Sequence, residues 1–133
     1  MLAVKEPARA KELVDHAVER ERMLVDGDPI NIAWKETLVD ALLVRAHLQN
    51  TAADRLETLA LAHDLATEAL KRAPKSARWP GLVAEIEVAL AEADPKGAAG
   101  HWKAARDLLE PLASTGRLAA PRAPLLARAR AQR

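Results

Sequence analysis

The chain has no cysteine, phenylalanine or tyrosine, and its 133 residues include only five glycines and three tryptophans. The absence of cysteine excludes disulfides, thiolate catalysis and cysteine-based metal sites. The scarcity of aromatic residues is untypical of a β-sheet protein, whose strands favour β-branched and aromatic side chains. Leu, Ala and Val are left to build the hydrophobic core. Because Ala and Leu have high helix propensities, we predict an all-α fold.

The chain also lacks an excess of charge of one sign and any long apolar run. Its 20 Lys and Arg against 19 Asp and Glu give a formal charge of +1, so no molecule-wide field favours nucleic acid or an acidic membrane surface. No stretch has the length of a signal-peptide core or a membrane span. We therefore expect no membrane insertion and no nucleic-acid partner. The expected compartment is the cytoplasm, or the periplasm if the chain is a piece of a membrane-anchored protein.

What is present is helical periodicity, since apolar residues recur every three or four positions along five segments. The predicted helices run from about Ala8 to Asp26, from Ile30 to Asn50, from Thr51 to Ala73, between Ser76 and Asp94, and from Ala98 to Ser114. The first is expected to be apolar on one side only, with Leu13, Val18, Leu24 and Val25 together on that side.

Helix ends are predicted from capping residues. Asp28 followed by Pro29 is typical of an N-cap and first position, here for the second helix. Thr51, three residues before Asp54, is the expected cap of the third helix. Pro111 removes a backbone donor and is expected to kink or shorten the last turn of the fifth helix.

The chain contains an internal repeat. Pro29 stands five residues before Trp34, and Pro74 stands five residues before Trp79. A shift of 45 residues also superimposes apolar positions, including Ala17 on Ala62, Leu38 on Val83 and Ala41 on Ile86. This period predicts a duplicated helical unit that buries its apolar faces by stacking on a neighbour.

At these residues the chain resembles tetratricopeptide-type repeats. The resemblance covers about residues 29–112 and is carried by an early Trp in the first helix of a pair, small residues in the second helix and a Pro that closes the pair: Trp34 and Trp79; Ala62, Ala66 and Ala69, with Ala105; and Pro74. The helices are longer than a 34-residue repeat allows, so the chain looks like a divergent tetratricopeptide-like domain. Residues 102–112 also resemble regions that follow the kinase domain in some proteobacterial serine/threonine kinases, although no kinase motif is present.

The resemblance implies antiparallel helical hairpins stacked as a short right-handed superhelix of five or six helices over residues 1–116. A basic tail or partial last helix follows over residues 117–133. The implied function is a protein–protein interaction scaffold, without catalysis, metal or cofactor, that binds a peptide or partner helix in a concave groove. The expected groove residues follow Pro29 and Pro74 and are Lys35, Val39, Leu42, Ala84, Glu87 and Ala91.

Two alternatives remain open. The terminal units of repeat proteins normally have a polar outer face, whereas the first helix here has only one polar face. The unpaired first and last helices would then expose apolar faces that pair with a second copy of the chain. The second alternative is a metal-dependent phosphohydrolase centred on the adjacent His63 and Asp64, since all-α phosphohydrolases place such a pair on one metal. Its remaining ligands would be His16 or His47 and Asp94 or Asp107. A helix-face histidine without a metal is the favoured interpretation of His63.

Two further groups of residues are weighed for binding. Trp34 and Trp79 are expected to fill gaps between helices, whereas Trp102 is expected to be partly exposed. The last segment carries five arginines and no acid: Arg117, Arg122, Arg128, Arg130 and Arg133. Arginines neutralise phosphate charge, but no aromatic residue lies among them to stack on bases. We therefore expect a solvated end, or alternatively a short helix that docks through Leu125, Leu126 and Ala129.

Overall fold

The computed structural model describes residues 2–28 and 30–132, and every regular element within these ranges is helical. The helices are α1 (Leu2–Gly27), α2 (Ile32–Leu48), α3 (Ala52–Arg72), α4 (Arg78–Ala93), α5 (Ala98–Ser114) and α6 (Ala123–Ala131), with a 3-10 turn at Ala120–Arg122. The predicted all-α class with five to six helices is confirmed. The tetratricopeptide-like superhelix stays a prediction. Within the described ranges, no helix is both long and apolar enough to cross a membrane.

The starts of α2 and α3 are fixed by side-chain caps, of which one was predicted correctly and one was not. Thr51 Oγ1 accepts a hydrogen bond from the backbone N–H of Asp54 at 3.1 Å, as predicted. The cap of α2 is Asn31, whose Oδ1 accepts from the N–H of Trp34 at 3.1 Å. The prediction of Asp28 as this cap is wrong, because Asn31 supplies the acceptor to the first turn. Pro29 lies outside the described residues.

The chain divides into two compact units, residues 1–65 and residues 66–133. In the first unit, α1 and α2 pack as an antiparallel hairpin, and Arg45 Nε meets Asp15 Oδ1 at 3.1 Å. Val18 and Val25 of α1 are buried in the core. Gln49, which ends α2, is tied to the start of α3, since its Oε1 accepts a hydrogen bond from Thr58 Oγ1 at 2.8 Å.

In the second unit, α4 is the most buried helix, with ten of its sixteen residues buried. It runs antiparallel to α5, and the two helices share the largest contact in this unit. One group of core residues joins α4, α5 and α6 through Val88, Ala91, Trp102, Ala105 and Ala129. A second joins the same helices through Ala84, Leu109, Leu112 and Leu126. In this unit α4, α5 and α6 therefore pack against one another through small and branched side chains together with Trp102.

The basic C-terminal segment is part of the second unit. Leu126 and Ala129 are buried and Leu125 packs beside them, so the expectation of a solvated end is wrong and the docked short helix is confirmed. Three of its arginines pair with acids of α4 and α5: Arg122 with Glu85 at 3.1 Å, Arg128 with Glu92, and Arg130 with Glu110 through two hydrogen bonds of 2.9 and 3.0 Å. These three ion pairs hold the segment against α4 and α5.

Candidate interaction surface

The residues expected to line a groove are buried. Each has at most 6% of its surface exposed: Lys35, Val39, Leu42, Ala84, Glu87 and Ala91. The expectation that they lie on an open face is wrong. The reason is that α2 and α4 carry apolar residues on more than one side, and periodicity alone does not reveal which side a neighbour covers.

The two charged members of this set are accommodated within the fold. Glu87 Oε2 is hydrogen-bonded to Nδ1 of His101 at 2.7 Å, which joins α4 to the first turn of α5. No buried side-chain nitrogen or oxygen in the described part of the chain lacks a hydrogen-bond partner. The buried carbon chain of Lys35 therefore ends in an ammonium group that reaches water, as long basic side chains commonly do.

The residues of the metal-site alternative do not assemble. Among residues 2–28 and 30–132, no three His, Cys, Asp or Glu side chains come together in a way that could hold a metal ion. His63 is half-buried on α3 and Asp64 is exposed beside it, and both have polar interactions. The pair thus lies on the helix without the further His and Asp that a phosphohydrolase centre needs.

The three tryptophans belong to the packing. Trp79 is 2% exposed in the first turn of α4, as expected for a residue that fills a gap, and Trp34 is half-buried in the first turn of α2. Trp102 is 8% exposed, so the expectation of partial exposure is wrong. The Arg128 guanidinium lies 5.8 Å from the centroid of the Trp102 ring, a distance at which a cation is attracted to the ring face.

Among the residues whose burial is described, the large apolar side chains that remain exposed all lie in the first unit. They are Leu13, Met23, Leu24, Ile30, Ile32 and Val44, with exposed fractions from 36% to 76%. In the described part of the second unit no large apolar side chain is exposed to this degree. The prediction of a one-sided first helix is wrong in this respect: Leu13 and Leu24 lie roughly 100–140° around the helix from the buried Val18 and Val25.

We call the exposed side of α1 the outer face. It includes Leu13 and, one turn further on, a shallow depression of about 450 Å³ lined by His16, Glu19, Arg20, Met23 and Leu24. Glu12, Glu19 and Asp26 are exposed along one edge of this face. Because residues seven apart lie two turns apart and almost in line, these acids form a row parallel to the helix axis. The outer face thus combines apolar side chains with an acidic edge.

The near-neutral charge of the whole chain hides a difference between its units. Residues 1–65 carry eight Lys and Arg against twelve Asp and Glu, a net charge of −4, whereas residues 66–133 carry twelve against seven, a net charge of +5. The two values sum to the overall +1. The total charge gave no signal of this difference, which becomes visible only when the boundary between the units is known.

Comparison with known proteins does not assign the chain to a group. No protein-family model matches it, and no curated protein or solved structure is significantly similar to it. Its function is therefore inferred from the chemistry of its own surface.

Proposed function

We propose that this chain is a protein-interaction module, without catalysis of its own, that docks an amphipathic helix of a partner protein on the outer face of α1. The observation that carries the proposal is that, in the part of the chain that the structure describes, every exposed large apolar side chain belongs to the first unit. Exposed apolar groups of this kind, bordered by polar residues, are typical of surfaces that bind other proteins. The resemblance to tetratricopeptide-type repeats, which bind peptides and helices, supports the same class of function.

The size of the apolar contribution indicates a moderate affinity. Full burial of a Leu or Met side chain contributes about 1.5–3 kcal/mol. Leu13, Met23 and Leu24 are already partly covered, so together they offer roughly 2.5–5 kcal/mol before the costs of association are subtracted. A micromolar Kd corresponds to about −8 kcal/mol. Tight binding therefore needs a further, electrostatic contribution.

The acidic edge specifies the partner's chemistry. A helix whose apolar face covers Leu13 and Met23 brings its flank close to Glu12, Glu19 and Asp26, so Lys or Arg on that flank is complementary. A second copy of α1 docked antiparallel through the same face would instead set two acidic rows against each other. The proposed occupant is therefore a basic amphipathic helix of another protein.

The test is a fluorescence anisotropy titration with a labelled synthetic helix that carries Leu along one face and Lys along its flanks. We expect saturable binding to the wild-type chain that weakens as salt is raised severalfold. The reason is that the Debye screening length, about 10 Å in 0.1 M salt, shortens as salt is added and weakens the attraction between exposed charges. Two double variants, Leu13→Gln with Met23→Gln, and Glu12→Lys with Glu19→Lys, should each weaken binding at least tenfold. Ala99→Gln, an exposed change on α5, is the matched control and should leave binding unchanged.

Two results would overturn the proposal. One is that the folded wild-type chain shows no saturable binding, or that Ala99→Gln weakens binding as much as the two double variants do. The other is a sedimentation coefficient that rises with protein concentration and ceases to do so in the Leu13→Gln, Met23→Gln variant. That result would replace the heterologous helix by a second copy of this chain.

A further inference from the structure

The second unit contains a cavity with an unusual concentration of one side chain. It is open to solvent, has a volume of about 330 Å³ and is lined by Ala77, Arg78, Leu112, Arg117, Ala119 and Arg122. Three of these six residues are arginines and none is acidic. We call this cavity the arginine pocket. All six lining residues belong to the second unit, so this pocket is a different site from the outer face of α1.

Arg122 is held in the pocket by α4. Its side chain is 17% exposed, and its Nε donates to Glu85 Oε1 at 3.1 Å. The same side chain crosses α4 at Gly81, where an added Cβ would lie only 2.8 Å from Arg122 Cδ and Nε. The absence of a side chain at Gly81 therefore allows the guanidinium to lie against the helix.

Arg117 is positioned by the end of α5. Gly116 adopts the left-handed conformation with φ of 69°, which favours glycine and turns the chain after the helix. The N–H of Arg117 then donates to the carbonyl of Leu112 at 2.7 Å, and its Nη2 donates to the carbonyl of Lys75. The close approach at Gly81 and the turn at Gly116 thus bring Arg122 and Arg117 to the same pocket.

The guanidinium groups of Arg117 and Arg122 keep donors for a ligand. Each arginine has five N–H donors, and the bonds to Glu85 and Lys75 use one donor each of Arg122 and Arg117. An anion could not rely on the N-terminus of α4, because Ser76 Oγ already accepts from its first two N–H groups and Pro80 has none.

We propose that the arginine pocket binds the phosphate group of a phosphomonoester. A guanidinium pairs with phosphate oxygens through two parallel hydrogen bonds. A phosphomonoester carries about −1.5 to −2 charges at pH 7 and has three oxygens that can accept hydrogen bonds from the remaining donors of Arg117 and Arg122. The apolar walls formed by Ala77, Leu112 and Ala119 provide contact for the carbon chain that bears the phosphate. That carbon chain belongs either to a small metabolite or to a phosphorylated side chain.

The experiment is a titration of the ¹⁵N-labelled full chain, followed by amide chemical shifts, with inorganic phosphate, glycerol 3-phosphate and phosphoserine blocked at both ends. Potassium chloride at equal ionic strength is the reference. We expect saturable shifts around residues 77–78 and 117–122 with each phosphate and none with chloride. Tighter binding of blocked phosphoserine than of glycerol 3-phosphate indicates a phosphorylated side chain as the natural ligand, and the reverse order indicates a metabolite.

The variants separate a specific pocket from a general effect of charge. Arg78→Gln and Arg117→Gln should each weaken phosphate binding at least tenfold. Arg130→Gln removes the same charge from the same unit, outside the pocket, and should bind as the wild type does. The proposal is overturned if the wild type shows no saturable shifts, if chloride produces the same shifts, or if Arg130→Gln weakens binding as much as the pocket variants. Helical circular dichroism confirms that each variant is folded.

Discussion

At the scale of single residues, Gly81 and Arg122 are coupled by a close approach. Replacing Gly81 by Ala gains about 1 kcal/mol of helix propensity but forces Arg122 away from Glu85, since the new Cβ would meet its side chain at 2.8 Å. We expect Gly81→Ala to be neutral or destabilising in the wild type, yet stabilising by about 1 kcal/mol when Arg122 is already Ala. Urea unfolding of the four variants measures the coupling. Strictly additive effects would contradict the contact.

The residues that could be predicted from the sequence are those whose role follows from local spacing. Trp79 is buried as expected, and Leu126 and Ala129 are buried as in the alternative of a docked last helix. The ion pairs of the C-terminal arginines were not predictable, because Arg122 and Glu85 are 37 residues apart in sequence and Arg130 and Glu110 are 20 apart. A run of arginines without neighbouring acids looks solvated until the tertiary fold supplies the acids.

At the scale of helices, the start of α2 gives a direct comparison between two candidate caps. Asn31→Ala removes the acceptor for the Trp34 N–H and should lower the free energy of unfolding by about 1 kcal/mol. Asp28→Ala, at the residue first expected to be the cap, should change it by less than about 0.5 kcal/mol. Urea unfolding followed by circular dichroism measures both. A larger loss for Asp28→Ala would contradict the structure of this turn.

The packing of α6 against α4 and α5 can also be tested by substitution. Leu126 is 4% exposed among Ala84, Leu109 and Leu112, so Leu126→Ala should destabilise the chain by about 2–4 kcal/mol through lost burial and the cavity left behind. Ala127→Ser, an exposed change on the same helix, is the control and should stay within about 0.5 kcal/mol. If both variants unfold like the wild type in urea, α6 is not packed as described.

For helices, the sequence predicted existence and approximate bounds better than orientation. The predicted span of α5, from Ala98 to Ser114, coincides with the observed helix, because a turn with Pro95 and Gly97 precedes it and Gly116 follows it. The burial of Lys35 and Glu87 was missed, since a charged residue on a helix is usually solvated. Charge reversal at these two positions would therefore test folding and not partner binding.

At the scale of the whole molecule, the two units differ in charge and in surface chemistry. The first has a net charge of −4 and exposes apolar side chains, whereas the second has a net charge of +5 and contains the arginine pocket. Ligands of opposite charge are therefore expected on the two units: a basic amphipathic helix on the first and a negatively charged phosphate group on the second. Composition summed over the whole chain concealed this division because the two charges nearly cancel.

The outer face of α1 is the proposed protein-docking surface, and its occupancy can be measured directly. The most direct measurement is the amide spectrum of the ¹⁵N-labelled full chain during titration with the basic amphipathic peptide. We predict saturable shift changes concentrated between residues 9 and 27, with little change in α5 and α6. Changes concentrated in the second unit, or no saturable change while the chain remains folded, would contradict docking on this face.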